Sequence, residues 1–109
     1  MNVIEVVIFR IKPDCVEEGL ELAKKIPQEA ARYGRILEHR TYRSVTDAAL
    51  LCHHIVWESM ADFEKASAQF AEFPSGPRMM ECMEEGMTMH HFELMAQGTG
   101  VNIGDAQLA

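Results

Sequence analysis

The chain has 109 residues, 48% of them hydrophobic and 25% charged, with a formal net charge of −7. That length supports one modest core, and an acidic chain without a Lys/Arg cluster is a poor partner for nucleic acid or an anionic membrane. The cysteines, Cys15, Cys52 and Cys82, are odd in number, widely spaced and form no CxxC, which fits reduced thiols in a cytoplasm and excludes a disulfide framework.

The opening MNVIEVVIF carries no basic segment before its apolar run, so no secretory leader is expected. No apolar run nears the roughly 20 residues that span a bilayer. Val3 to Lys12 is rich in β-branched residues and predicts a strand. Pro13-Asp14 breaks it, with Asp14 as N-cap and Glu17 three residues on as in a capping box. A helix is expected to about Tyr33, with Val16, Leu20, Ala23, Ile26 and Ala30 on one face. Pro27 should kink or break it, and Gly34 fits its C-terminal stop. Ile36 to Val45 and Leu50 to Glu58 read as strands two and three, joined by a turn at 46–49. Ser59 caps a second helix with Asp62 in the capping position and an apolar stripe of Met60, Phe63, Ala66, Phe70 and Phe73. Pro74-Ser75-Gly76-Pro77 ends it, Arg78 to Glu85 can form further helical turns, and Gly86 opens a last strand, Met87 to Met95. One domain, 1–96, is expected; the tail 97–109 reads as frayed or as an arm lying on a partner.

The order strand, helix, strand, strand, helix, strand is that of a ferredoxin-like α+β sandwich with a four-stranded antiparallel sheet. Both helices then cover one face of the sheet. Yet the first strand is apolar on both sides: Val3, Val7, Phe9 and Ile11 point one way, Ile4, Val6 and Ile8 the other. The third strand has the same character. A sheet apolar on both faces needs a second cover, and the simplest is another copy of itself, which predicts a homodimer.

The stretch Ile55-Val56-Trp57-Glu58-Ser59-Met60-Ala61-Asp62-Phe63-Glu64-Lys65-Ala66 resembles the dimeric α+β barrel superfamily, particularly its antibiotic-biosynthesis-monooxygenase-like branch, where a strand often ends in Trp-x-Ser and enters an acidic, Phe-containing helix start. The element order matches over residues 3 to 96. The resemblance implies a homodimeric barrel, sheet order 4-1-3-2, and small-molecule clefts between helices and sheet or inside the barrel. The haem-degrading branch of that superfamily is disfavoured: the first strand has no Asn beyond Asn2, Ala66 stands where that branch has Trp, and residues 67 to 86 contain no His.

Two histidine doublets, His53-His54 and His90-His91, fall on strands. Neighbours on a strand point to opposite faces, so neither doublet can chelate one ion. A hairpin closed at 46–49 would set Val45 opposite Leu50, Tyr42 opposite His53 and Thr41 opposite His54. One face would then carry Arg40, Tyr42, Leu51, His53, Ile55 and Trp57, and the other His39, Thr41, Arg43, Cys52, His54, Val56 and Glu58. A slip of one residue would exchange the partners. Strand one would separate the doublets by roughly 10 Å, too far to share a zinc. No metal and no cofactor are therefore expected.

Glu5, alone in an apolar strand, is either paired, with Arg40 or a His, or desolvated into a general base. Trp57 packs on the second helix or lines a pocket. Met79, Met80, Met83, Met87, Met89 and Met95 either wall an adaptable pocket or fill the core. Cys52 reads as buried and Cys82 as more exposed.

Members similar to this chain include cofactor-independent monooxygenases of aromatic polyketides. That reading makes His53, His54 and Glu5 candidate catalytic groups, and Trp57, Tyr42, Arg40, His39 and His91 candidate contacts to a small apolar or aromatic ligand. The alternatives are a non-catalytic, stress-associated binding dimer and a structural dimer with a filled barrel. A pocket with a shifted His or Glu favours the enzyme; a pocket without one, the binder; a packed interior, the structural dimer.

Overall fold

The computed structural model describes residues 1–100 of the chain; the end of the expected arm, 101–109, lies outside them. Its elements are β1 (Val3–Arg10), a 3-10 turn at Pro13–Cys15, α1 (Val16–Ala30), β2 (Ile36–Arg43), β3 (Leu50–Trp57), α2 (Met60–Ala68), a 3-10 turn at Phe70–Glu72, α3 (Gly76–Cys82) and β4 (Thr88–Phe92). The strands form one antiparallel sheet in the order β2-β3-β1-β4. This is the ferredoxin-like α+β arrangement, with the expected sheet order.

The core lies between the sheet and the helices. Val7, Phe9 and Ile11 of β1, with Leu51, Ile55 and Trp57 of β3, meet Ala23, Ile26 and Ala30 of α1 and Phe73, Met79 and Cys82. Nothing among the described residues covers the other face. Ile4, Val6 and Val56 are only half-buried there, and Ile8 and Phe92 are exposed. The two-sided apolarity of β1 and β3 is thus real, and one side of it stays open.

Several local expectations are corrected. Asp14 does not cap α1: the chain makes a 3-10 turn at Pro13–Cys15, and Cys15 precedes the helix without a side-chain bond. Pro27 does not break α1, which continues to Ala30. The second helix is shorter than its apolar stripe suggests. It stops at Ala68, and the 3-10 turn brings Phe73 onto the ring of Tyr33 at 5.6 Å. Just beyond, the Ser75 backbone N–H and hydroxyl both donate to the buried Glu29 carboxylate, at 2.8 and 2.7 Å, tying α1 to the start of α3. Cys82 is fully buried rather than exposed.

The β2–β3 register is also one residue away from the expected one. Thr41 pairs with His53, Arg40 with His54, Tyr42 with Cys52 and Arg43 with Leu51. The connecting loop is longer than a tight hairpin because Asp47 is engaged elsewhere. Its side chain accepts from the Ala49 N–H at 3.1 Å and from Arg10 at the end of β1, while Val45 stands fully exposed. The slip carries Arg40 and Tyr42 to the open face and brings His39, Thr41 and Arg43 to the helix-covered side.

Gly34 serves close approach rather than helix termination. A Cβ there would lie 2.1 Å from the backbone oxygen of Asp62, where the α1–β2 loop crosses the first turn of α2. The same crossing is fixed by the Arg35 N–H donating to the Asp62 carboxylate at 2.9 Å. Substituting Gly34→Ala must force the loop and the helix apart. It is expected to cost at least about 1–3 kcal/mol of unfolding free energy in urea titration, the range for overpacking; an unchanged midpoint would contradict this packing.

Candidate functional site

Between the sheet and the helices lies a cavity of about 280 Å³. Its wall is almost wholly apolar: Ile55, Val7 and Phe9 from the sheet, Ile26 and Ala30 from α1, Phe63 and Ala66 from α2. Phe70 and Phe73 close it beside the 3-10 turn, and Met79, Met80, Met83, Met87 and Met89 form one side. Five of the six late methionines therefore wall the cavity; Met79 is buried while Met80, Met87 and Met89 are exposed at its edge. Unbranched thioether side chains make such a wall adaptable in shape. Three sheet side chains give the cavity polar atoms: Glu5, His53 and Trp57.

His53 is 5% exposed and lies against the ring of Phe9 at 5.1 Å. Its Nε2 is 2.8 Å from the carbonyl oxygen of Ala23 in α1. A carbonyl only accepts, so Nε2 must carry the proton, and in the neutral ring Nδ1 keeps its lone pair. The carbonyl is available for a specific reason. In an α-helix it would accept from the residue four ahead, and four ahead of Ala23 is Pro27, which has no N–H. The proline that should have broken α1 instead leaves an acceptor that β3 fills. Burial holds the His53 pKa below 6.5, aided by His39 and opposed by the bond to Ala23.

Glu5, also 5% exposed, faces the cavity from β1. The indole N–H of Trp57 donates to its Oε1 at 2.7 Å. His91 of β4, directly opposite in the ladder, places Nε2 3.6 Å from the same oxygen. Desolvation raises the Glu5 pKa above 4.5, against the lowering effects of Trp57 and His91. Glu5 is thus paired with a His, as one sequence reading had it, and Arg40 pairs instead with Glu38 at 2.9 Å. Trp57 does both things expected of it: it packs edge-on against Phe63 at 5.9 Å and lines the cavity.

The remaining candidates do not line this cavity. His54, Arg40 and Tyr42 lie on the open face through strand alternation and the register slip. His39 is on the helix side but exposed on the edge strand β2. His91 stands behind Glu5, with Phe63 against its ring at 4.1 Å. Sequence reasoning missed Ser67 and the Ala23 carbonyl. Phe63, Ser67 and Phe70 share a helical spacing that could have flagged the first, and Pro27 four residues after Ala23 was the signal for the second. A shallower depression of about 200 Å³ lies on the open face against Ile8, Tyr42 and Cys52; Cys52 is half-buried there.

Comparison with solved structures shows the fold. SnoaB from Streptomyces nogalater, a cofactor-independent oxygenase, superposes with a TM-score of 0.76 at 17% identity, over 88% of this chain and 95% of that one. An antibiotic biosynthesis monooxygenase gives 0.73 at 13% identity, over 86% and 99%. A conserved protein from Methanosarcina mazei Go1 gives 0.71 at 17% identity, over 84% and 91%. No family model matches the sequence. No curated protein matches it. The chain thus has the ferredoxin-like α+β fold of these structures. No helix among the described residues is long and apolar enough to cross a membrane.

The His53 assignment has a pH signature. A histidine with a folded pKa below its unfolded value leaves the unfolded chain binding more protons as pH falls. Its contribution to stability is complete above 6.5 and is lost as pH drops from there towards the folded pKa. In imidazole ¹⁵N spectra His53 should be the Nε2–H tautomer at neutral pH, with a midpoint below 6.5. A midpoint at or above 6.5, or an Nδ1–H tautomer, would contradict the buried bond to Ala23.

Proposed function

We propose that the cavity binds a small, largely apolar aromatic molecule bearing an acidic hydroxyl or enol, and that the protein oxidises it with O₂ without a cofactor. The observation that carries this reading is the placement of Glu5 and neutral His53 in an otherwise apolar cavity walled by Trp57, Phe63, Phe70 and methionines. An apolar, water-poor pocket with a few convergent polar groups is the setting such chemistry needs.

Glu5 takes the hydroxyl proton of the ligand. Its raised pKa makes it a stronger base than a solvated carboxylate. His53 Nδ1 accepts a second hydrogen bond that orients the ring. The resulting carbanion-like anion supplies the electrons to O₂. In the overall change the hydroxyl hydrogen and one ring C–H hydrogen leave in water with one oxygen atom of O₂, and the other oxygen atom becomes a ring carbonyl. The likeness of fold to a cofactor-independent oxygenase supports this chemistry over passive binding. The shifted pKa values of Glu5 and His53 do so as well.

The open sheet face supports a homodimer. Ile4, Val6, Ile8, Val56 and Phe92 would be covered by a second copy. His54 Nδ1, buried on this face without a partner among the described residues, would gain one. The mass in solution should be twice 12.3 kDa. Ile8→Asp, which sets a charge on that face, should shift the protein to monomer in sedimentation equilibrium; a wild-type monomer would remove this part of the account.

Purified protein mixed with hydroxylated anthracene- and naphthalene-type compounds should consume O₂ and form the carbonyl product. Glu5→Gln should lower the rate by about 10²-fold or more, the usual contribution of a general base. Binding of these compounds without O₂ uptake, in wild type and variant alike, would favour the non-catalytic binding dimer.

A further inference from the structure

The arrangement behind the cavity wall goes beyond a single base. Trp57, Glu5 and His91 come from three adjacent strands, β3, β1 and β4, on the helix-covered side of the sheet. Glu5 Oε1 holds the indole N–H at 2.7 Å and faces His91 Nε2 at 3.6 Å. That nitrogen is buried and has no hydrogen-bond partner among the described residues. A buried nitrogen without a partner costs free energy and calls for an explanation. It is aimed at the carboxylate, and His91 does not itself line the cavity. Phe63 lies against its ring and fixes its orientation.

Resting on the reading of Glu5 as proton acceptor, we propose that Glu5 and His91 share a single proton as one acid–base pair, with His91 the positioning residue that sets the charge of Glu5. In the resting pair Glu5 is carboxylate and His91 imidazolium, so the apolar cavity carries no net charge. When a ligand hydroxyl gives its proton to Glu5, the O–H bond of the ligand breaks and a carboxyl O–H forms. The ligand anion then stands against a pair bearing one positive charge, and the cavity is again neutral. Without His91 the same transfer would hold one uncompensated negative charge in an apolar space, before and after, at a large desolvation cost.

The surroundings leave His91 in this role. From β3 the titratable group on the same side is His53, one ladder row along, and from β2 they are His39 and Arg43, both exposed at the edge. The cavity-lining residues of α1, α2 and α3, among them Ile26, Ala30, Ala66 and Met79, carry no charge. Burial of Glu5 pushes its pKa up and His91 pulls it down, so removing His91 must raise it.

The protein contains one tryptophan, and its N–H is bonded to the group in question. Trp57 emission in the unliganded protein should therefore follow the ionisation of Glu5. The transition should vanish in Glu5→Gln. In His91→Phe and His91→Gln its midpoint should rise by about one pH unit, the scale of losing a close opposite charge. In the wild type, the His91 imidazole ¹⁵N signals should respond to the same step that moves the Glu5 carboxyl ¹³C signal, as coupled sites do. An unmoved midpoint in folded His91 variants, or wild-type His91 signals that do not respond to the Glu5 transition, would overturn the pair. None of these readouts needs a substrate. A coupled titration in a protein that oxidises none of the aromatic compounds would sustain the pair and refute the oxygenase reading.

Discussion

A proline inside a helix leaves one carbonyl without its amide, and the site depends on what fills that gap. In α1 the carbonyl is that of Ala23, the proline is Pro27, and the donor is His53 from the neighbouring β3. Leaving such an acceptor buried and unpaired costs about 1–3 kcal/mol. The bond removes that cost and pins a helix to a strand. It also decides which nitrogen of His53 holds the proton, and so which one keeps a lone pair. One backbone constraint in a helix thus fixes the chemistry of a cavity side chain 30 residues away in sequence.

The second organising constraint is charge in an apolar layer. Glu5 and His53 are among the few polar groups buried in the core. Burial drives their pKa values towards each other, the carboxyl up and the imidazole down, because it penalises whichever form is charged. The carboxylate so displaced is a stronger base towards a ligand than a solvated one. Trp57 opposes the effect at Glu5 by donating to its oxygen, and His91 by standing 3.6 Å from the same oxygen. The wall around them is built from aromatic rings and methionines, which exclude water while tolerating ligands of different shape.

Much of the fold was legible from period and punctuation. The β-branched Val3–Arg10 stretch, the Ser59–Asp62 cap and the two-sided apolarity of β1 each declare themselves locally. What failed was set by contacts distant in the chain. Arg10 and the turn around Asp47 lengthen the β2–β3 loop and slip the register by one, which a tight-hairpin assumption cannot foresee. That slip moved Arg40 and Tyr42 away from His53. The helix ending at Ala68 reflects Phe73 seeking Tyr33 and Ser75 seeking Glu29, partners more than 35 residues apart. Glu5, His53 and Trp57 were visible as candidates from composition and alternation, but their convergence on one cavity needed the sheet order. The ring and missing N–H of Pro27 predict a kink or break in α1, and the strand that compensates for them is not visible locally in the sequence.

The central claim is that the helix–sheet cavity, and not the open sheet face, receives an aromatic hydroxyl. A crystal structure of the protein with a bound hydroxynaphthalene tests it most directly. The account predicts the rings between Trp57, Phe63, Phe70 and the methionine wall, with the hydroxyl about 3 Å from a Glu5 oxygen or His53 Nδ1, hydrogen-bonding distance. A ligand seated instead against Ile8, Tyr42 and Cys52, or turned with its hydroxyl away from Glu5 and His53, would contradict it.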